Sequence, residues 1–168
     1  SRPASGSEHH LSHYFEVVGL LRGEPYFCHG IDVAYSTYVT AKIRQDLLAI
    51  DAPEAKKFDL ADWEANIRRV YGVPGNTTAA EGIIALQHKL GWITEDKVET
   101  YRTKWAQIRE VLADSPTPDE IVGMLSAVGL PLEEFYDMYD EDKIADALRY
   151  AKDLKDRYTV LWLAEQIR

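Results

Sequence analysis

The chain has 168 residues, which is enough to bury the core of one domain. Its net charge of −9 at pH 7, with no run rich in lysine or arginine, argues against nucleic acid as a partner. A single cysteine, Cys28, excludes an internal disulfide, and no apolar run reaches the roughly 20 residues that span a bilayer. We therefore predict a cytoplasmic protein that does not bind membranes.

The first part of the chain predicts two helices. Apolar residues recur at intervals of three and four between Ser7 and Leu21, which indicates a helix that ends before Pro25. A second helix is predicted from Gly30 through "IDVAYSTYVTAKIRQDLLAI". Its β-branched residues make its first half ambiguous and are best explained by burial.

The middle of the chain carries residues that typically cap helices. Asp59 is placed to cap "LADWEANIRRVYG", and "VPGN" then predicts a turn. Thr77 or Thr78 is placed to cap "AAEGIIALQHKLG".

The second half of the chain also reads as helix. A helix is predicted to open at Thr94, followed by one capped by Thr117 with Pro118 at its first position. Further helices are predicted in "PLEEFYDMY", in "DEDKIADALRYAKDLKDR" with its apolar face inward, and in "YTVLWLAEQIR". With no alternating strand pattern and no phosphate-binding glycine loop, we predict an all-α bundle.

Three of the five histidines lie within five residues, in "HHLSH". His9 and His13 are four apart and share a helix face, a spacing found in zinc-binding helices, whereas His10 is turned by about 100°. Chance neighbours on a helix surface would explain this pattern as well. A fourth imidazole, His29 at the start of the next helix, strengthens the metal hypothesis. Two imidazoles and a carboxylate would make a three-ligand site with an open position, which is typical of catalytic metals.

The stretch "SRPASGSEHHLSHYFE", followed by "HG", closely resembles the glycerol-1-phosphate dehydrogenases, including the arabinose-operon type. These enzymes belong to the superfamily of iron-containing alcohol dehydrogenases and dehydroquinate synthases. The resemblance is dense over residues 1–30 and thin beyond. It implies the C-terminal helical bundle domain of a dehydroquinate synthase-like enzyme, in which His9 and His29 bind a divalent metal and His13 contacts substrate. The implied metal is zinc or nickel, or else iron.

The resemblance also implies a reaction. The intact enzyme would transfer hydride reversibly between NAD or NADP and dihydroxyacetone phosphate, a small phosphorylated substrate, giving sn-glycerol 1-phosphate. His13 would be the catalytic side chain, bonding a substrate hydroxyl or relaying its proton. Ser7 and Glu8 lie close enough to support the site, although a charge at a helix N-terminus explains Glu8 equally well. The intact enzyme would be a homodimer.

Two parts of the family pattern have no counterpart in this sequence. The third metal ligand of the family is an Asp from an earlier helix, and the nucleotide-binding α/β domain holds the NAD or NADP. Because the chain opens on Ser and reaches its richest motif at once, we expect an internal fragment. Residues 1–168 would then be the C-terminal α-helical metal and substrate domain, incomplete at its N-terminal side. We expect this chain alone to be inactive and to bind metal weakly.

Three alternative functions remain open. Another superfamily member, such as a glycerol or alcohol dehydrogenase or a 3-dehydroquinate synthase, would share the histidines. The synthases usually carry the pair after Gly and before a small residue, whereas here it reads Ser-Glu-His and His-Tyr. A non-enzymatic helical interaction module would carry the histidines incidentally. A zinc hydrolase that uses His9 and His13 lacks a glutamate between them.

Several other reactive side chains receive structural interpretations. Cys28 is expected to be a buried small residue beside the site, and His88 a cation near a helix C-terminus. Arg68 and Arg69 are assigned to a solvated helix face. Tyr35 and Tyr38 are assigned to the core.

Overall fold

The computed structural model describes residues 6–167, so the first five residues of the family motif lie outside the described residues. Helices joined by short loops make up this part of the chain. They are α1 (Ser7–Arg22), α2 (His29–Leu48), α3 (Leu60–Tyr71), α4 (Thr78–Leu90), α5 (Val98–Ala113), α6 (Pro118–Ala127), α7 (Leu132–Met138), α8 (Glu141–Tyr150) and α9 (Val160–Gln166), with a 3₁₀ turn at Ala151–Leu154. Within residues 6–167, β-structure is limited to two isolated bridges. The prediction of an all-α fold is confirmed.

Helices α1 and α2 pack along each other and hold the centre of the molecule. The apolar stripe of α1 is buried, and the ring of Phe15 stacks on that of Tyr139 with centroids 3.9 Å apart. The loop from α1 to α2 passes close to α1 at Gly19, where a β-carbon would overlap the ring of Tyr26. This close approach returns the chain directly beside α1, so the first residue of α2 lies next to the first half of α1.

A tyrosine hydroxyl anchors the start of α2. The backbone N–H of Phe27 donates to the hydroxyl of Tyr139 (3.1 Å), which donates to Oδ1 of Asp32 (2.8 Å). Asp32 and Tyr139 are fully buried, and burial raises the pKa of Asp32 to about 7 against the opposing effect of the tyrosine hydrogen bond. The two bonds lie on either side of His29 and fix its backbone.

The predicted helix caps at Asp59 and Thr117 are confirmed. The side chain of Asp59 accepts the backbone N–H of Asp62 at 3.1 Å. Thr117 and Glu120 form a reciprocal capping box, with Pro118 at the first position of α6. Such caps satisfy backbone donors that a helix leaves without partners at its first turn.

One predicted helix start is confirmed, and another differs from the structure. Thr77 is the N-cap residue of α4, as predicted, but its side chain makes no capping bond, and Oδ1 of Asn76 accepts the N–H of Thr78 at 3.1 Å. Helix α5 begins at Val98 and not at Thr94, and Asp96 accepts the N–H of Val98 (2.9 Å). In both cases an Asx side chain bonds an N–H two residues further along the chain.

The prediction of one continuous helix through "DEDKIADALRYAKDLKDR" was wrong at its second half. Helix α8 ends at Tyr150, and the chain tightens into the 3₁₀ turn. The turn buries the ion pair of Lys152 and Asp153, in which Nζ and Oδ2 are 2.8 Å apart. A buried charge is stable only when paired, and this tighter turn supplies the pairing.

The apolar interior has two parts. The larger cluster surrounds α1, α2 and the aromatic residues of α7 and α8, and a smaller one joins α5 to α9. None of the helices within residues 6–167 is both long and apolar enough to cross a membrane.

Candidate metal centre

Three histidines converge at the junction of α1 and α2. One ring nitrogen from each of His9, His13 and His29 lies within 4.8 Å of those of the other two. The ring centroid of His29 is 5.2 Å from that of His9 and 5.0 Å from that of His13. Since two nitrogens on one zinc ion can be at most about 4.2 Å apart, small side-chain rotations would bring these rings onto a common cation. The rings are half-buried, so ligand and solvent can reach them.

His10 lies apart from this group, as its position on the helix predicts. Its ring is fully buried, and its Nδ1 lies 2.9 Å from the carbonyl oxygen of Gly6. Burial is the main cause that lowers the pKa of His10. The residue therefore acts as a neutral part of the interior at the N-terminal end of α1.

Glu16 is the residue of this site that the sequence analysis missed. Its Oε1 lies 3.0 Å from Nδ1 of His29, and its Oε2 lies 3.2 Å from Nδ1 of His13. One carboxylate therefore contacts two imidazoles from two helices. The available signal was its place three residues after His13, which puts it one helical turn further along the same face.

Ser12 completes the surroundings of His29. Its side chain is fully buried, and its Oγ lies 3.0 Å from Nδ1 of His29 and donates to the backbone carbonyl of His29 at 3.4 Å. Polar side chains in a buried helix interface need such partners, because an unpaired hydroxyl there would cost free energy. Ser12 thus links the two helices at the level of the histidines.

Ser7 and Glu8 lie in the first turn of α1. Ser7 is buried, and Oε1 of Glu8 accepts the backbone N–H of Gly6 at 2.9 Å. This contact places the carboxylate at the helix N-terminus, where negative charge is favoured. The interpretation of Glu8 as a helix-terminal charge agrees with this geometry.

The environment of His13 favours a neutral imidazole. Burial lowers its pKa, and the positive charge of Lys155 lowers it further, while Glu16 acts in the opposite direction. Lys155 follows the 3₁₀ turn, which packs against α1. Lys155 therefore places a positive charge near the histidines. It forms no ion pair with a carboxylate within residues 6–167.

Cys28 is exposed, which contradicts the expectation that it is buried. It is the residue immediately before α2, at the end of the surface loop that follows α1. Backbone at the end of such a loop is open to solvent, so a small apolar side chain there need not be buried. The metal-compatible cluster at the junction contains the three imidazoles and not this thiol.

The remaining reactive side chains have structural partners. His88 Nε2 lies 2.8 Å from Oε1 of Glu64, and Tyr35 is fully buried with its hydroxyl on the carbonyl oxygen of Pro131. Arg68 and Arg69 lie on an exposed face, but each pairs with carboxylates there. The paired atoms are Arg68 Nε with Glu81 Oε1 and Arg69 Nη1 with Asp146 Oδ2, both at 2.7 Å.

Sequence comparison shows that this chain is similar to known enzymes. A glycerol-1-phosphate dehydrogenase [NAD(P)+] from Geobacillus stearothermophilus is 28% identical over 172 aligned residues, which cover 99% of this chain and 34% of the relative. The enzyme of the same name from Bacillus licheniformis is 25% identical over 99% of this chain and 30% of its own length. This chain thus spans about a third of the length of the curated relatives it matches.

A shorter match, with a higher identity, covers part of the chain. The glycerol-1-phosphate dehydrogenase [NAD(P)+] of Halalkalibacterium halodurans is 46% identical over 43 residues, or 26% of this chain and 11% of that enzyme. No protein-family model and no solved structure matches the chain. The relatives confirm the resemblance read from the histidine motif: the chain is related to the glycerol-1-phosphate dehydrogenases and is similar to about a third of their length.

Proposed function

We propose that this chain is the metal- and substrate-binding part of an NAD(P)-linked glycerol-1-phosphate dehydrogenase. His9 and His29 would bind the divalent metal, and His13 would contact the substrate. The observation that carries the proposal is the convergence of these three imidazoles from consecutive helices. The enzymes named among its relatives support the reaction class. NAD or NADP would be bound outside these residues, and homodimer formation and a cytoplasmic location stay predictions.

The ligand set fits a borderline transition metal. Imidazole nitrogens suit zinc, nickel and iron, and the acidic contact at Nδ1 of His29 is the kind of outer partner that metal-bound histidines have. A bound cation would supply Lewis acidity that polarises the substrate carbonyl. His9 and His29 are neutral ligands and would leave the charge of the cation available for that task. The family's third ligand would come from outside this sequence.

His13 is suited to handle the substrate hydroxyl. One of its nitrogens lies within 4.8 Å of those of the other two rings, and its lowered pKa keeps it neutral near pH 7. A neutral imidazole has one nitrogen free to accept a hydrogen bond, which lets it orient a hydroxyl and take up its proton. NAD or NADP, bound outside these residues, would supply the hydride.

Positive charge near the site supports a phosphorylated substrate. Lys155 lies close enough to lower the pKa of His13. A cation beside the histidines of a net acidic protein is suited to a phosphate dianion.

Substrate binding to the metal-loaded chain tests the proposal. The chain would be loaded with Ni²⁺ or Zn²⁺, and dihydroxyacetone phosphate would be titrated while histidine ring signals are followed by NMR. We expect saturable, metal-dependent shifts in the wild type. His13→Ala should retain the metal but bind the substrate at least tenfold more weakly.

Three results would contradict this assignment. If His13→Ala lost the metal instead, His13 would be a third ligand and not the substrate contact. If 3-dehydroquinate bound in the same way and dihydroxyacetone phosphate did not, the synthase alternative would replace the dehydrogenase. Absence of metal from every sample would favour the helical interaction module.

A further inference from the structure

We propose that Glu16 is a positioning residue that fixes the ring tautomers of His13 and His29. Through its two oxygens it would hold a proton on Nδ1 of each ring and leave Nε2 of each ring as a free lone pair. The part of this proposal that concerns metal affinity rests on the proposed function. The part that concerns tautomers applies to the metal-free protein and is independent of the proposed function.

The argument starts from proton counting at the carboxylate. An ionised carboxylate accepts hydrogen bonds and donates none. Its oxygens lie 3.0 Å from Nδ1 of His29 and 3.2 Å from Nδ1 of His13. Each of these nitrogens must therefore carry the hydrogen of its bond. In a neutral imidazole only one nitrogen is protonated, so Nε2 of both rings has a free lone pair.

Ser12 agrees with this tautomer of His29. The hydroxyl of Ser12 donates its one proton to the carbonyl oxygen of His29. Toward Nδ1 of His29, 3.0 Å away, the Ser12 oxygen can then only accept. A proton on Nδ1 satisfies both Ser12 and Glu16, whereas an unprotonated Nδ1 would leave the carboxylate of Glu16 without a donor on His29.

The position of Glu16 makes this control effective. Its side chain is about one-fifth exposed, so water competes little for the carboxylate. It contacts a ring on its own helix, His13, and a ring on the next helix, His29. His9, the third ring of the cluster, is not bonded to Glu16 and provides an internal reference. One carboxylate would thus align a metal ligand with the substrate histidine.

The first test reads tautomers directly by ¹⁵N NMR of the histidine rings in the metal-free chain. We expect the wild type to carry the ring proton on Nδ1 in both His13 and His29. Glu16→Ala should shift both rings toward protonation on Nε2 and leave His9 unchanged. Glu16→Gln, which offers one acceptor oxygen, should preserve at most one of the two. Nε2 protonation of both rings in the wild type, or identical tautomers in all variants, would overturn the proposal.

The second test measures the dissociation constant for Ni²⁺ or Zn²⁺ by titration. Loss of a partner behind a metal-bound histidine typically weakens binding about 10- to 100-fold, and we expect Glu16→Gln to do so. Glu64→Gln is the matched control, because it removes a glutamate that bonds a histidine outside the cluster, His88. It should leave metal affinity within twofold of the wild type.

The two tests separate this proposal from the proposed function. If no variant binds metal but the tautomers change as expected, the metal assignment fails and the role of Glu16 stands. If the wild type and Glu16→Gln bind metal equally and their tautomers match, the role of Glu16 fails and the metal site stands.

Discussion

Within residues 6–167, histidine and glutamate side chains pair at two places, and only one of these has the features of a site. At the α1–α2 junction, Glu16 faces Nδ1 of His13 and His29. On the surface of α3 and α4, Glu64 faces Nε2 of a single imidazole, His88. The contact distances are similar, so distance alone does not distinguish the two regions.

The two regions differ in the partners that surround the histidine and glutamate side chains. Glu64 also pairs with Arg68, which pairs with Glu81, and the hydrogen bond from His88 is the largest cause that lowers the pKa of Glu64. That network satisfies itself on an exposed face, where ion pairs contribute little. At the junction, three imidazoles from two helices meet, with one ring nitrogen of each within 4.8 Å of those of the other two. The convergence of three imidazoles, and not the histidine–glutamate contact, identifies the candidate site.

The largest stability effect is expected at the hydroxyl that anchors the site. Tyr139→Phe leaves the N–H of Phe27 and the carboxyl of Asp32 without their shared partner, and we expect a loss of about 1–3 kcal/mol in the free energy of unfolding. Urea denaturation measures this loss. Tyr136→Phe, at a half-exposed tyrosine of α7 three residues before Tyr139, is the control and should change stability by less than about 0.5 kcal/mol. Equal effects would show that the hydroxyl of Tyr139 does not anchor α2.

A smaller effect is expected at the cation beside the histidines. Lys155→Met keeps the length of the side chain but removes its charge, and we expect about tenfold weaker binding of dihydroxyacetone phosphate to the metal-loaded chain. Binding of unphosphorylated dihydroxyacetone should not change. Calorimetric titration with both ligands measures the difference, and an equal loss for both would argue that Lys155 does not contact a phosphate.

Because the carboxyl of Asp32 is buried, we predict that the stability of the protein depends on pH. The pKa of its carboxyl is raised from about 3.8 unfolded to about 7 folded, mainly by burial. The folded state therefore holds a proton between these values that the unfolded state releases, so stability falls as pH rises through this window. Asp32→Asn removes the penalty and should raise the Tm by several degrees at pH 7.5 and by less at pH 4.5. Thermal unfolding at both values checks the sign, and a larger gain at pH 4.5 would contradict it.

The smallest effect is expected in the surface network. Arg68→Ala removes exposed ion pairs to Glu64 and Glu81, and we expect a change in the free energy of unfolding well below that of Tyr139→Phe, which shrinks further in high salt. Urea denaturation at low and high salt measures both values. A loss comparable to that of Tyr139→Phe would remove the contrast between the two regions.

Local patterns predicted much of this structure. Apolar periodicity placed α1 and α2, the caps at Asp59 and Thr117 were correct, and the spacing of His9 and His13 excluded His10 from their face. Each of these depends on residues within one or two helical turns. The family motif added His29, which the structure brings beside the pair.

The features that were missed depend on how distant segments meet. Tyr139 and Asp32 are 107 residues apart, and their bond follows only from the packing of α7 against the start of α2. Glu16 gains its role only when α2 places His29 against α1. The 3₁₀ turn follows from the burial of Lys152 with Asp153, which an amphipathic pattern does not reveal.

Metal titration of the chain tests the central claim most directly. Ni²⁺ or Zn²⁺ would be titrated into the wild type, His9→Ala, His29→Ala and His88→Ala, with circular dichroism to confirm that each variant keeps its helices. We predict one metal per wild-type chain, binding weakened at least 100-fold in His9→Ala and His29→Ala, and unchanged affinity in His88→Ala. Equal affinity in all four proteins, or no binding by the wild type, would contradict the assignment of these histidines as a metal centre.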